Sequence, residues 1–348
     1  MLRFILKKTL YGLLVLAGVV VAVFFLFQGF GDPARLVLGQ TGDSSTISNI
    51  RKELGLDQPK WKQFLMYAND ISPVAMHSRE EIASKQLKGI FIGGDTKLAI
   101  KFPYLRRSYQ TKRAVSQVLL EALPGTVILA VAAMLLATVM GIFLGVMAAV
   151  KQNTWIDTGG IFASVLGISA PSFFTGIVLA YLLGFVLSHY TGLHMTGSLF
   201  DIDAFDGKHL QLKNLILPAI TLGIRPLAII TQLTRSAMLD VLHQDYIRTA
   251  YAKGVSKRIV IFRHALRNAL NPVITAITGW FAELLAGAFF VEYIFGWKGI
   301  GKVTVDALEK LDFPIVMGSV LVTATFFIFI SLLADILYGI VDPRIRLT

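Results

Sequence analysis

Three short stretches hold residue types that could do chemistry. Gly296-Trp297-Lys298-Gly299-Ile300-Gly301-Lys302-Val303 nearly spells a phosphate-binding loop. Such a loop needs Ser or Thr after the lysine to hold magnesium, and Val303 has no hydroxyl, so a structural turn is expected. Asp201, Asp203 and Asp206 before Gly207 hint at a calcium loop. The third acid comes one place late and no Glu stands at the twelfth position, which favours an exposed acidic turn. Six histidines are present, but His189 and His194 are five apart and no HExxH occurs. His264 reads as a partner of nearby polar groups. The chain has no cysteine, which excludes disulfides, thiolate metal sites and a Cys nucleophile. Two charged residues, Arg225 and Glu283, stand inside long apolar runs. A charge at membrane depth is costly and commonly functional. Arg225 could meet the carboxylate of a solute in a pathway, or pair structurally with Glu283 or another acid of a neighbouring span.

The elements that must position these residues are membrane helices. Of 348 residues, 55% are hydrophobic and 16% charged, against about a quarter charged in a soluble domain. The first apolar run, Thr9 to Phe30, has 22 residues after Arg3, Lys7 and Lys8. A signal peptide has a shorter apolar region, so a retained transmembrane helix is expected. Five more runs follow at about 121–150, 156–188, 214–236, 269–291 and 314–341. Pro171 should break or bend the third.

Charge sets the orientation. The net charge is +11, but the basic residues form no stripe among aromatics of the kind nucleic acid would need. Residues 1–8, 151–155, 237–268 and 342–348, with Arg235, hold thirteen Lys and Arg. Loops 189–213 and 292–313 hold five, against seven Asp and Glu. The positive-inside rule makes both termini cytoplasmic. Segment 31–113 carries fourteen Lys and Arg, but long loops translocate regardless of charge, so it reads as a small extracytoplasmic region. It mixes polar helix-like stretches with turn signals such as Gly93-Gly94-Asp95. The expected organisation is a first transmembrane helix at 1–30, the extracytoplasmic region 31–113, and a five-helix core at 114–348 with a cytoplasmic loop at 237–268.

That loop is the informative part. Leu239, Leu242, Tyr246 and Ala250 fall on one helical face, with Gln244 and Arg248 opposite. After Gly254 a second stripe begins with Val255, Ile259, Phe262 and Leu266, with Lys257, His264 and Asn268 opposite. Gly254 separates them as a helix-ending glycine in a left-handed conformation would. By pattern alone, a basic amphipathic hairpin lying on anionic lipid fits as well as a docking loop.

The run Tyr246-Ile-Arg-Thr-Ala-Tyr-Ala-Lys-Gly254 closely resembles the cytoplasmic signature loop of ABC importer permeases, which reads Glu-Ala-Ala, three residues, then Gly. Arg248-Thr249-Ala250 stands at the Glu-Ala-Ala position, and Arg for Glu agrees with the dipeptide and oligopeptide branch. Further similarities are Phe4 to Pro33, Leu54-Gly55-Leu56-Asp57 with Pro59, Leu123-Pro124-Gly125-Thr126, Ala170-Pro171-Ser172-Phe173, Leu217-Pro218-Ala219 and Asp335 to Arg344. Roughly 68–110 is the exception: the family usually has a short Gly-Asp-Leu-Gly segment where this chain has a longer insert.

The resemblance implies an all-α polytopic membrane protein with the six transmembrane helices of the type I ABC importer permease fold. It implies a multi-pass protein of the bacterial inner membrane that passes peptides by alternating access. Asp245, Tyr246, Arg248, Thr249, Ala250, Lys253 and Gly254 would form a coupling helix docking on a separate ATPase, with Gly254 as pivot. Arg225 and Glu283 are the pathway candidates. No catalytic residue, cofactor or metal is expected on this chain; ATP and magnesium would sit on partner subunits. The implied partners are a second homologous permease subunit in a heterodimer, two ABC ATPase subunits, an extracytoplasmic solute-binding protein, the peptide and lipid, without nucleic acid. Import of nickel complexes or oligosaccharides by the same mechanism is the alternative. An ion-coupled secondary transporter would need paired acids across several spans and often inverted repeats. An intramembrane enzyme would need a nucleophile–base set. Neither pattern is visible.

Overall fold

The apolar runs become helices because a backbone in lipid must satisfy its own hydrogen bonds. The computed structural model describes residues 2–28, 51, 56–203 and 207–341. The sequence motifs at 31–55, the acidic turn at Asp206 and the C-terminal segment from Asp342 lie wholly or partly outside the described residues. The long helices are α1 (Leu2–Gln28), α4 (Val115–Val150), α7 (Lys213–Leu242), α9 (Leu266–Gly287) and α12 (Phe313–Val341). Between α4 and α7 lie α5 (Trp155–Ser169) and α6 (Ser172–Tyr181), the latter running into a π-helical turn at Leu182–Val186.

Among the described residues, four helices are long and apolar enough to cross a membrane, at Phe4–Phe27, Val115–Val150, Lys213–Leu242 and Phe313–Ile336. The segments Trp155–Ser169 and Ser172–Val186 make a fifth span if counted together, and they meet at 108°. The expected break at Pro171 is therefore present. Ala170 and Pro171 both have extended backbones, ψ 129° and 133°, as the ring of a proline forces on its predecessor. At 1.5 Å per residue, α5 is about 22 Å long, short of a ~30 Å hydrocarbon core. The fifth expected run, 269–291, is mostly the helix α9, which does not reach the same apolar standard. Its polar residues, described below, are the reason.

The described residues fall into two compact units. One comprises those within 1–6, 124–302 and 326–348. Its core joins Leu129, Ala133 and Ala137 of α4, Leu217, Leu222 and Ile230 of α7, and Val273 and Leu284 of α9, with Phe295 and Trp297 beyond. Small residues let α4 and α7 approach closely: a Cβ on Gly145 would stand 2.6 Å from Thr234 Cβ.

The other unit comprises those within 7–123 and 303–325. It holds α2 (Lys60–Ile71), the strands β1 (Val74–Ser78), β2 (Gly89–Gly93) and β3 (Thr96–Lys101), and the short helix α3 (Arg79–Lys85). The strands form an antiparallel sheet in the order β1-β3-β2. A second hairpin, β4 (Phe200–Asp203) with β5 (Gly207–Leu210), lies in the first unit. The protein is mostly helical, but the expected polar helix-like stretches of the insert are in part strands. Val74-Ala-Met-His and Leu98-Ala-Ile-Lys alternate with period two, the strand signature, and Gly93-Gly94-Asp95 is the turn joining β2 to β3.

Candidate functional site

The helix after α7 forms because the chain breaks at His243–Gln244 and restarts. Gln244 has an extended backbone, ψ 148°, and α8 runs Asp245–Ala252 with Asp245 in its first turn, where an acid favours the helix dipole. The helix ends on Gly254 with φ +75°. Gly254 N–H donates to Tyr251 O at 2.9 Å and Val255 N–H to Ala250 O at 3.2 Å. These two bonds are the Schellman pair, and Val255 and Ala250, at the positions where an apolar contact accompanies it, both pack against the same buried cluster. The expected helix-ending glycine is in place. The chain then turns through Lys257–Ile259 and a π-helical stretch, Val260–Ala265, into α9.

Of the expected stripes, Leu239, Leu242, Ala250, Val255 and Leu266 pack against the buried cluster of this loop, whereas Tyr246, Ile259 and Phe262 do not. Ile247 is the buried residue of α8, and Val260, Ile261, Ala265 and Ala269 are buried after the turn, all against Val146, Ala149 and Met238. Tyr246 is 44% exposed, Ile259 47% and Phe262 55%. The break at Gln244 resets the helical phase, so Leu239 and Leu242 cannot predict the face of Tyr246. The wider π turn does the same beyond Gly254.

The site residues themselves are gathered on one exposed element. Asp245, Tyr246, Arg248, Thr249, Lys253 and Gly254 are exposed and Ala250 is half-buried. Arg248 Nη1 stands 3.7 Å from Asp245 Oδ1 in an open ion pair. Thr249 Oγ1 donates to Asp245 O at 2.9 Å. Tyr246 is tied back to α9, its hydroxyl accepting from Asn268 Nδ2 at 2.9 Å. Tyr251, exposed on the same helix, was not among the expected residues. With Tyr246, Ile259 and Phe262 it makes the outward surface of this loop apolar and aromatic, and the exposed Arg248, Lys253, Lys257, Arg258 and Arg263 make it basic.

Sequence reasoning also missed a clamp at the base of the loop. Arg235 Nε donates to Asp157 Oδ1 at 2.5 Å and its Nη2 to Oδ2 at 2.8 Å, a bidentate pair. Asn153 N–H adds a bond to Oδ2 at 3.0 Å. Asp157 is buried and lies at the start of α5, so the pair joins α5 to the end of α7 just before α8.

Arg225 and Glu283 form no ion pair. Both are exposed, and the Arg225 guanidinium lies over the Trp280 ring, 5.8 Å from its centroid. Glu283 belongs to a stripe on α9: Asn268, Asn271, Pro272, Thr275, Gly279 and Glu283 are all exposed and recur at three- and four-residue spacing. A polar, outward-facing stripe on a helix packed among membrane helices marks a wet pathway or a partner surface.

The near-phosphate loop clasps a carboxylate of its own chain. α10 (Phe289–Ile294) carries Glu292, fully buried, and α11 (Ile300–Glu309) begins inside the glycine-rich turn. Glu292 Oε2 accepts from Gly301 N–H at 2.7 Å and Lys302 N–H at 3.2 Å, while Oε1 accepts none. Trp297 Nε1 donates to Gly125 O, and Ile300 N–H to Thr126 Oγ1, both at 2.9 Å. Burial pushes the Glu292 carboxyl up to about 7, against the pull of the Thr126 hydroxyl and the Lys302 and Gly301 N–H groups. The backbone donors that a phosphate would need are thus engaged from within, and a structural turn is what the segment forms.

Comparison with known proteins follows the same lines. Residues 141–347 match the family described as "Binding-protein-dependent transport system inner membrane component", and residues 1–84 match its N-terminal companion, "Binding-prot-dependent transport system membrane comp, N-term". The chain is 36% identical to the dipeptide transport system permease protein DppB of Escherichia coli K12, over 99% of both chains. It is 36% identical to the di/tripeptide transport system permease protein DppB of Pseudomonas aeruginosa UCBPP-PA14, also over 99% of each. It is 34% identical to the glutathione transport system permease protein GsiC of Salmonella choleraesuis, with the same coverage. A solved structure described as "Inward facing conformations of the MetNI methionine ABC transporter: CY5 native crystal form" shares the fold, with TM-score 0.51 and 15% identity over 65% of this chain and 97% of that one. The chain is a membrane-spanning permease of the ABC transporter class and belongs to the binding-protein-dependent transport system inner membrane component family.

Proposed function

We propose that this chain forms part of the pathway of a peptide importer and transmits the motion of separate ATPase subunits through α8. The observation that carries the mechanism is the exposed, Schellman-terminated helix Asp245–Ala252, held between two membrane helices. Its aromatic and basic outward surface suits an apolar groove with an acidic rim. The Asp157–Arg235 clamp and the Ile247 contacts tie it to α5 and α9, so a push on α8 would move helices as rigid bodies. Arg225 and the polar stripe of α9 would face the solute. The peptide substrate is supported by the names of the relatives. Nickel complexes and oligosaccharides are the alternatives.

On this reading the chain is not catalytic by itself. It works with a second, homologous permease subunit, two ATPase subunits that bind ATP and magnesium, and a solute-binding protein. The termini and α8 are cytoplasmic, and the region around β1–β3 is extracytoplasmic. Six spans follow if α5–α6 is one broken span and α9 crosses with its polar stripe shielded.

The test is reconstitution of the complex in proteoliposomes with ATP on the α8 side and the binding protein on the other. Uptake of labelled dipeptide that requires ATP is expected. Uptake driven by an ion gradient without ATPase subunits would overturn the mechanism. ATP-dependent uptake of a nickel complex or oligosaccharide but of no peptide would overturn the substrate.

A further inference from the structure

The insert exposes one side of a sheet that should, by its composition, be covered. Register places Val74, Ile100 and Ile90 in one cross-strand row and Met76, Leu98 and Ile92 in the next. All six lie on one face and are 42–65% exposed, and Phe102, just beyond β3, is 86% exposed. The opposite face is occupied: Ala75, His77, Ala99 and Lys101 are buried. Lys101 Nζ donates to Asp70 O at 2.5 Å and Ser72 O at 3.1 Å, holding the sheet to the end of α2. A contiguous aliphatic surface of this kind marks an interaction site, whereas singly exposed apolar residues need no explanation.

We infer that this face rests on the lipid surface from which α1 emerges. Its anchorage is already at the membrane. α2 packs on the last turns of the apolar helix α1, with Phe24 5.3 Å from Phe64 and 5.7 Å from Tyr67 between ring centroids. Leu16, Val19 and Val20 of α1 join the same cluster. α2 also exposes Trp61 and Leu65, and tryptophan favours the membrane–water boundary. Charge agrees: residues 56–113 hold eleven Lys and Arg against five Asp and Glu, which suits anionic headgroups.

The chemistry of the face favours lipid over a protein. Six aliphatic side chains in two unbroken rows offer no polar group to fix the register of a partner. The sheet has open edges, which hydrocarbon does not tolerate, so it lies on the membrane and does not cross it. One edge is already blunted, since Asn69 Nδ2 donates to Met76 O at 2.7 Å and Met76 N–H to Asn69 Oδ1 at 3.2 Å. That argues against strand addition there. Residues 85–140 fall between the two matched family stretches, so most of this surface lies outside both.

The absence of cysteine makes the test direct. Single variants Met76→Cys, Ile92→Cys and Ile100→Cys in the full chain are labelled with a small fluorophore in nanodiscs of phosphatidylcholine and phosphatidylglycerol. Glu80→Cys, exposed on α3 over the other face, is the reference. The three face labels should be quenched several-fold more strongly than the reference by nitroxide-bearing lipid, and shielded from aqueous iodide. Iodide quenching equal to the reference would show an open face and overturn the inference. Shielding from both quenchers would also overturn it, since a protein surface would then be the cover. Loss of lipid quenching only when the second permease or the binding protein is added would overturn it for the assembled transporter.

Discussion

Two glycine-marked turns of this chain do opposite jobs. At Gly254 the glycine supplies a backbone conformation: φ is +75°, and a Cβ there would meet nothing within 4 Å. At Gly299 and Gly301 the glycines supply space: a Cβ on either would collide with the Glu292 carboxylate or the Phe289 backbone. The first turn stands free at the end of an exposed helix. The second is closed round a buried acid, with Trp297 fully buried beside it. A free turn between two helices can act as a pivot, whereas a filled one fixes the elements it joins.

The strongest test of the filled turn is Gly301→Ala. Its methyl would overlap the Phe289 Cα, which is backbone and cannot rotate away. Overpacking of this kind should cost about 3 kcal/mol. The thermal unfolding midpoint in detergent should fall clearly, and a midpoint equal to wild type would show that the clasp gives way easily.

Glu292→Gln probes the same turn through pH. The folded chain raises the carboxyl from 4.5 to about 7. A raised value means that the protonated form is favoured in the fold. Its stabilising contribution is full below about 4.5 and is lost as pH rises through about 7. A shift of this size corresponds to roughly 3 kcal/mol between the two limits. The difference in midpoint between wild type and Glu292→Gln should therefore favour the wild type progressively as pH falls from about 7 to about 5. A difference independent of pH would mean that Glu292 stays ionised.

How far the sequence disclosed all this depended on whether the signal was local. Gly254 and Pro171 act on their own backbone or their neighbour's, and both were legible. So were the apolar runs, because membrane burial writes itself into composition. The face of α8 was not, since the break at Gln244 and the π turn at Val260–Ala265 shift the helical phase without any residue that announces them. The Asp157–Arg235 clamp joins residues 78 positions apart. Arg225 found an aromatic ring where an acid was expected. The Gly296–Gly301 turn was correctly read as structural, but its reason, a glutamate on the preceding helix, required the fold.

If Gly254 is a pivot, the helix leading to it must be braced. The Asp157–Arg235 pair is the brace, and Asp157→Asn would remove its charge while keeping its shape. Leaving the Arg235 guanidinium with a neutral partner should cost about 2 kcal/mol. Transport should fall along with the fraction of ATP hydrolysis that depends on substrate. Unchanged coupling would assign the pair to folding alone.

Gly254→Val should have the smallest effect on stability, because nothing surrounds the position. A side chain at φ +75° costs about 1–2 kcal/mol. The turn would relieve this by shifting toward negative φ, losing the Gly254–Tyr251 and Val255–Ala250 bonds and changing the angle between α8 and the helix beyond. The chain should still fold with a midpoint only modestly below wild type, yet uptake should drop while basal ATP hydrolysis persists. Gly254→Ala, with less branching, should fall between the two. Retention of both uptake and substrate-stimulated hydrolysis in Gly254→Val would remove the pivot. The contrast between the turns would then reduce to one of packing: open space at Gly254 would mark a surface without moving parts.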